Sequence, residues 1–367
     1  MRLTHLFETP EEVEAIRKQL LTQIKTETEL DLLKKILQVL KANNVDQKIA
    51  NALNSDQDAA PYVQALVALI MDTEGTQAEK EHFANNFKNG FINISTIMTP
   101  NKKIALSDIH QNELPIDPEN ENRKVTFVHA IFRLLCRDYT PPGVGPGEVA
   151  LAVMSPDIAR IGGSTGAIGD IDVKHNGEIY HVEVKGKSKG TAGRLSDAKI
   201  HILDNNLTAS TLKKYGQDGQ RVSLAPGTRG GGSAIPLVGS DASVVAKVAQ
   251  DGGDVNAFAN EMSRAIFSAK PDVQSTAAKL IAGNSPELMN LYTKALYDRY
   301  YDVKSKAGGE LAGFIFVNLQ TNTLFFNPRD WDALLKQGTP AMGVIYLTNA
   351  SGGVNNDARE YGTAISI

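Results

Sequence analysis

Asp170, Glu183 and Lys185 lie within GDIDVKHNGEIYHVEVKGK (residues 169–187), with Asp172 and His181 between them. The segment predicts two strands joined at Asn176-Gly177, a dipeptide strongly biased toward a tight hairpin turn. If those two residues make the turn, His175 faces Glu178, Asp172 faces His181, and Asp170 comes opposite Glu183. Side chains alternate along strands, so Asp170, Asp172, His181, Glu183 and Lys185 share one face. Ile171, Val173, Val182 and Val184 take the other. Carboxylates opposed across a ladder repel unless a cation sits between them. A divalent metal with hard oxygen ligands would supply it, and the lysine would hold a water or a phosphate oxygen. The competing picture is an exposed hairpin laced by salt bridges. The segregation of charge to one face and valines to the other argues against it.

This arrangement resembles the PD-(D/E)xK nuclease superfamily, which includes restriction endonucleases, Holliday-junction resolvases and phage exonucleases. Gly169-Asp170 matches the PD element, with glycine for proline, and Glu183-Val184-Lys185 matches ExK. Many members carry a glutamate on a helix before the hairpin, and Glu148 in GPGEVALAVM is in that place. The resemblance covers roughly residues 145–200. It implies a restriction-endonuclease-like α+β or α/β fold, a mixed sheet flanked by helices. It also implies a Mg²⁺-dependent deoxyribonuclease in which Mn²⁺ can substitute. Glu148, Asp170, Glu183 and Lys185 would be catalytic, with Asp170 and Glu183 as metal ligands. Asp172 competes with Asp170 for that role: the hairpin register favours Asp170, and a bulge or longer turn would reverse the choice.

The following loop, GKSKGTAGRLSDAK, concentrates Lys187, Lys189, Arg194 and Lys199 among glycines and hydroxyls. Cations and exposed amides of this kind suit a nucleic-acid backbone, so the four are expected DNA contacts. The glycine-rich run around Arg229 is a further place for such contact. A net charge of −4 argues against binding by bulk charge but leaves a local basic site open. Double-strand cutting needs two sites, which implies a homodimer or larger assembly. The GDI…EVKGK…GRL pattern also resembles uncharacterised phage proteins of the same superfamily. That raises a second expectation, a phage structural or assembly protein, or DNA clamp, that uses the fold as a scaffold.

The rest of the chain bounds these readings. Its 367 residues, 42% hydrophobic and 22% charged, are those of an ordinary folded protein. A single cysteine, Cys136, excludes an internal disulfide and a cysteine-rich zinc site, and suits a reducing compartment. No signal segment or membrane span is evident, so the expected location is the cytoplasm, or the virion for a phage-encoded chain. No G-x-S-x-G turn or phosphate loop is present.

Two regions are expected: a helical N-terminal region, residues 1–115, and a nuclease-like domain, residues 124–367, with a boundary in the polar stretch 113–123. Helical spacing predicts helices through residues 20–42, at 58–71, 76–88, 124–138 and 147–154. Residues 155–167 read as a loop and 168–186 as the core hairpin. Residues 200–305 read as a mostly helical insertion. GFIFVNLQ and TLFFNP form a second hairpin whose first strand is apolar enough to lie beside the catalytic one. RDWDALLKQ reads as a helix and GVIYLTN as a strand.

Overall fold

The structure is a computed structural model that describes residues 27–42, 60–111, 127–138, 144–145, 147–161, 167–187, 221–224, 226, 235–304, 309–337, 339–340, 344–347, 358–361 and 365–366. The chain divides into two compact units. One comprises Met1–Lys189 with Ala307–Arg329, the other Gly190–Lys306 with Asp330–Ile367.

The first unit is a mixed α+β assembly around a six-stranded sheet. Its helices are α1 (Glu27–Ala42), α2 (Ala60–Asp72), α3 (Gln77–Asn86), α4 (Ile94–Ile97), α5 (Phe127–Asp138) and α6 (Glu148–Met154). Its strands are β1 (Lys103–Ala105), β2 (Ile158–Arg160), β3 (Ile171–His175), β4 (Glu178–Lys187), β5 (Leu311–Asn318) and β6 (Thr323–Asn327). They run in the order β1-β6-β5-β4-β3-β2. The β4–β5 pair is parallel, and every other neighbouring pair is antiparallel.

The hairpin forms as the sequence predicts. Asn176 and Gly177 both take positive φ, 51° and 81°, and His175 pairs with Glu178. That is the turn an Asn-Gly pair favours, because asparagine and glycine tolerate left-handed backbone best. Ile171, Val173, Val182 and Val184 point to the apolar face, where they join Ile315, Val317, Leu324 and Phe326 in one core with the helices. Each such side chain contributes about 1.5–3 kcal/mol on burial. α6 is buried along its whole length, as expected of the all-apolar run VALAVM after Glu148. α3 starts at a capping box between Thr76 and Glu79, which fixes its first turn.

The boundary expected at 113–123 separates no compact unit. Apolar stripes of α1, α2 and α3 share a core with α5, α6 and the sheet, so the N-terminal helices are one wall of the same body. The segment 155–167, read as loop, contains β2, and the polar stretch after residue 91 contains β1. Cys136 is buried and its thiol is pushed up by burial, in keeping with a structural role.

In the second unit, the helices Val244–Gln250, Val255–Ile266, Gln274–Ala282 and Leu288–Lys304 account for most of residues 244–304 of the expected insertion, and the described residues before them include the short strands Arg221–Ser223 and Ile235–Pro236. Residues 330–367 join this unit and not the six-stranded sheet of the first. The strand Val344–Leu347 pairs with Arg221–Ser223 and Ala358–Tyr361. No described helix is long and apolar enough to cross a membrane.

Candidate active site

β3 ends its ladder with β4 at Ile171↔Val182, and one step further Asp170 comes level with Glu183. Asp170 is held there by two bonds to β4. Its amide donates to the Val182 carbonyl at 3.0 Å, and its Oδ2 accepts from the Val184 amide at 2.9 Å. The residue before it is a glycine for a reason of backbone geometry. Gly169 has φ +115°, which proline's ring forbids, and a Cβ there would lie 2.9 Å from the Val182 carbonyl oxygen.

Asp172 goes elsewhere. It faces His181, whose Nδ1 lies 2.6 Å from Asp172 Oδ1. No bulge interrupts the β3–β4 pairing. The irregularity at His181/Val182 lies on the other side of β4, against β5. The register therefore puts Asp170, and not Asp172, beside Glu183.

Glu183 is 2% exposed, and its Oε1 accepts from Lys185 Nζ at 2.6 Å. In the parallel register Phe314 and Phe316 of β5 stand beside Glu183 and Lys185. Those rings, with Phe325, form a stacked, buried row that withholds water from the acid. Lys185 itself is half-buried, with 13% of its side chain exposed, and pairs with Glu183.

Glu148 opens α6, entered through Gly147 at φ +102°, where a Cβ would press on Val317. Its Oε1 accepts from the Gly145 amide at 2.7 Å and its Oε2 from Arg160 Nε at 3.1 Å. A Cβ placed on Gly145 would lie 3.7 Å from the Val184 carbonyl and 2.7 Å from Glu148 Oε1. Amide and carbonyl of one strand residue face the same side. The Val184 carbonyl thus opens toward the gap where β3 stops and Glu148 approaches.

Three carboxylates meet two cations here, and the imbalance falls on Asp170. Burial first, then the charges of Glu183 and Glu148, push its pKa up to about 8, against the pull of Lys185 and the Val184 amide. Glu148 is also raised, by burial first, with the Gly145 amide and Arg160 offsetting part. An added cation would relieve this crowding. Among the described residues no three His, Cys, Asp or Glu side chains are grouped to hold a metal ion unaided. Two carboxylates and a carbonyl nonetheless suit Mg²⁺, which keeps several waters and binds through one or two carboxylates plus substrate phosphate.

Arg160 and Gly145 are the site residues that sequence reasoning missed. The weak alternation of Ile158-Ala159-Arg160 was the one signal for Arg160, too short to mark a strand. Lys187 ends β4 but its side chain is outside the described set, as are Lys189, Arg194, Lys199 and Arg229. Compared with known proteins, the chain matches no family model, no curated protein and no solved structure.

Proposed function

We propose that this chain is a metal-dependent deoxyribonuclease with a PD-(D/E)xK site on a restriction-endonuclease-like sheet. The observation that carries the reading is the convergence of Asp170, Glu183, Lys185 and the Val184 carbonyl at the end of the β3–β4 ladder, beside a helical glutamate. Asp170 and Glu183 would hold Mg²⁺ or Mn²⁺ with that carbonyl. Bound there, the cation would neutralise phosphate charge and acidify a water. Lys185, placed by Glu183, orients the attacking water and stabilises charge gathering on the phosphate oxygens. Glu148, from the helix side, orients a water or holds a second divalent cation. Water attack forms a P–O bond and breaks the ester bond to the leaving oxygen.

DNA incubated with the purified protein should be nicked or degraded with Mg²⁺ or Mn²⁺ and left intact in excess chelator. Cleavage in chelator would overturn the proposal. Joint replacement of Lys187, Lys189 and Arg194 should flatten the log–log salt dependence of duplex binding by roughly two to three units if all three touch phosphates.

A second reading, a phage structural protein or DNA clamp on a nuclease-like scaffold, is favoured by one observation. Glu148 and Glu183 are each engaged by a protein cation, Arg160 and Lys185. DNA binding without cleavage under any divalent metal would select it.

A further inference from the structure

Arg160 lies opposite Ile171 on β2, which puts it on the apolar face of the sheet. Its side chain is 6% exposed and that of its partner Glu148 is 7% exposed. A buried guanidinium is costly unless well paired, and arginine, unlike lysine, cannot shed its charge to escape that cost. The acid it holds is no remote one. A Cβ on Gly145 would lie 2.7 Å from Glu148 Oε1 and 3.7 Å from the Val184 carbonyl, so Gly145 stands between the two; Glu148 also feels the charge of Glu183, and Asp170 that of Glu148. The second Glu148 oxygen is fixed by the Gly145 amide. The carboxylate is therefore clamped in one orientation at the edge of the acid cluster.

We propose that Arg160 is a positioning residue and the internal counter-cation of the site: it holds Glu148 in place in the metal-free protein and shares that carboxylate with a divalent cation once one binds. The proposal rests on the nuclease reading above and deepens it. Arg160 lets the buried acids Glu148 and Glu183 be assembled with the half-buried Asp170 before any metal arrives. A divalent cation and Arg160 then do overlapping work, so loss of one makes the protein lean harder on the other.

The test is thermal unfolding of the full chain, in chelator and in saturating Mg²⁺, for wild type, Arg160→Met and Glu148→Gln/Arg160→Met. Arg160→Met should melt well below wild type in chelator. Its Mg²⁺-induced rise should be at least about twofold larger than the wild-type rise, since binding to the folded state adds stability that grows with the logarithm of affinity. The double variant should melt near wild type in chelator and lose the enlarged response. Equal Mg²⁺ increments in wild type and Arg160→Met would overturn the proposal, leaving Arg160 as a bolt between α6 and β2. If Arg160→Met does not fold, the double variant decides. A folded double variant supports charge compensation, and an unfolded one assigns Arg160 to packing. No Mg²⁺ shift in wild type or either variant would overturn the metal-site reading itself, a result distinct from equal, non-zero shifts.

Discussion

Asp170 Oδ2 accepts a hydrogen bond from the amide of Val184, the middle residue of Glu183-Val184-Lys185, at 2.9 Å. The two halves of the motif are thus tied through backbone, and displacement of either strand end moves the acid and the lysine together.

Burial and the charges of Glu183 and Glu148, working against that tie, set the response to pH. The Asp170 pKa of about 8 lies above its ordinary 3.8. Between these values the folded protein keeps a proton that the unfolded chain has lost, so metal-free stability falls as pH rises from about 4 to about 8, by on the order of a few kcal/mol. Asp170→Asn should flatten this slope in urea titrations run in chelator, while abolishing cleavage. Asp172→Asn should leave most activity unchanged. A larger activity loss from Asp172→Asn would mean that Asp172 is the ligand.

Lys185→Ala should abolish cleavage and also cost stability. An exposed lysine would be removable without penalty, but Lys185 neutralises Glu183, which is 2% exposed. Stranding that acid should cost roughly 3–5 kcal/mol in denaturant titrations. Glu183→Gln/Lys185→Ala should recover much of the loss. A single variant as stable as wild type would show that the pair contributes nothing.

Gly169→Ala should lower stability by about 1–3 kcal/mol, because φ is positive and the new Cβ meets the Val182 carbonyl. Gly169→Pro should fold poorly or not at all, because proline's ring forbids the positive φ. Unimpaired cleavage by the proline variant would contradict the backbone described here.

A second titration runs the opposite way. His110 packs edge-on to Phe132, with its Nε2 3.3 Å from His129 Nδ1. Burial first, then the charge of His129, lowers its pKa to about 3. The folded protein keeps this ring neutral while the unfolded chain protonates it below about 6.5, so stability falls as pH drops from about 6.5 toward about 3. His110→Phe should move the acid-unfolding midpoint to lower pH, as followed by circular dichroism. An unmoved midpoint would place acid sensitivity elsewhere.

The hairpin was legible because Asn176-Gly177 admits few registers, and one register fixes the cross-strand neighbours of Asp170, Asp172 and His181 at once. The parallel neighbour was legible from the apolar run GFIFVN. Arg160 was not, because a three-residue strand carries too little alternation to signal itself, and its partner lies on a helix twelve residues earlier. The polar stretch after residue 111 looked like a domain boundary by composition. What decides domain membership is which apolar stripes meet, and those of α1 and α5 meet in one core. Residues 330–367 were misplaced for a related reason: strand partners distant in sequence leave no local trace.

The parallel pairing of β4 with β5 has a consequence for biosynthesis. As the chain leaves the ribosome, the strand that carries Glu183 and Lys185 emerges with one edge bare, and its partner at Leu311–Asn318 follows only after residues 190–306 have been made. Closing a sheet across so long an interval is slow, and an open strand edge invites aggregation while it waits. Glu148, Asp170, Glu183 and Lys185 are all made before that interval, but the sheet beside them can be completed only late in translation, when most of the polypeptide is already made.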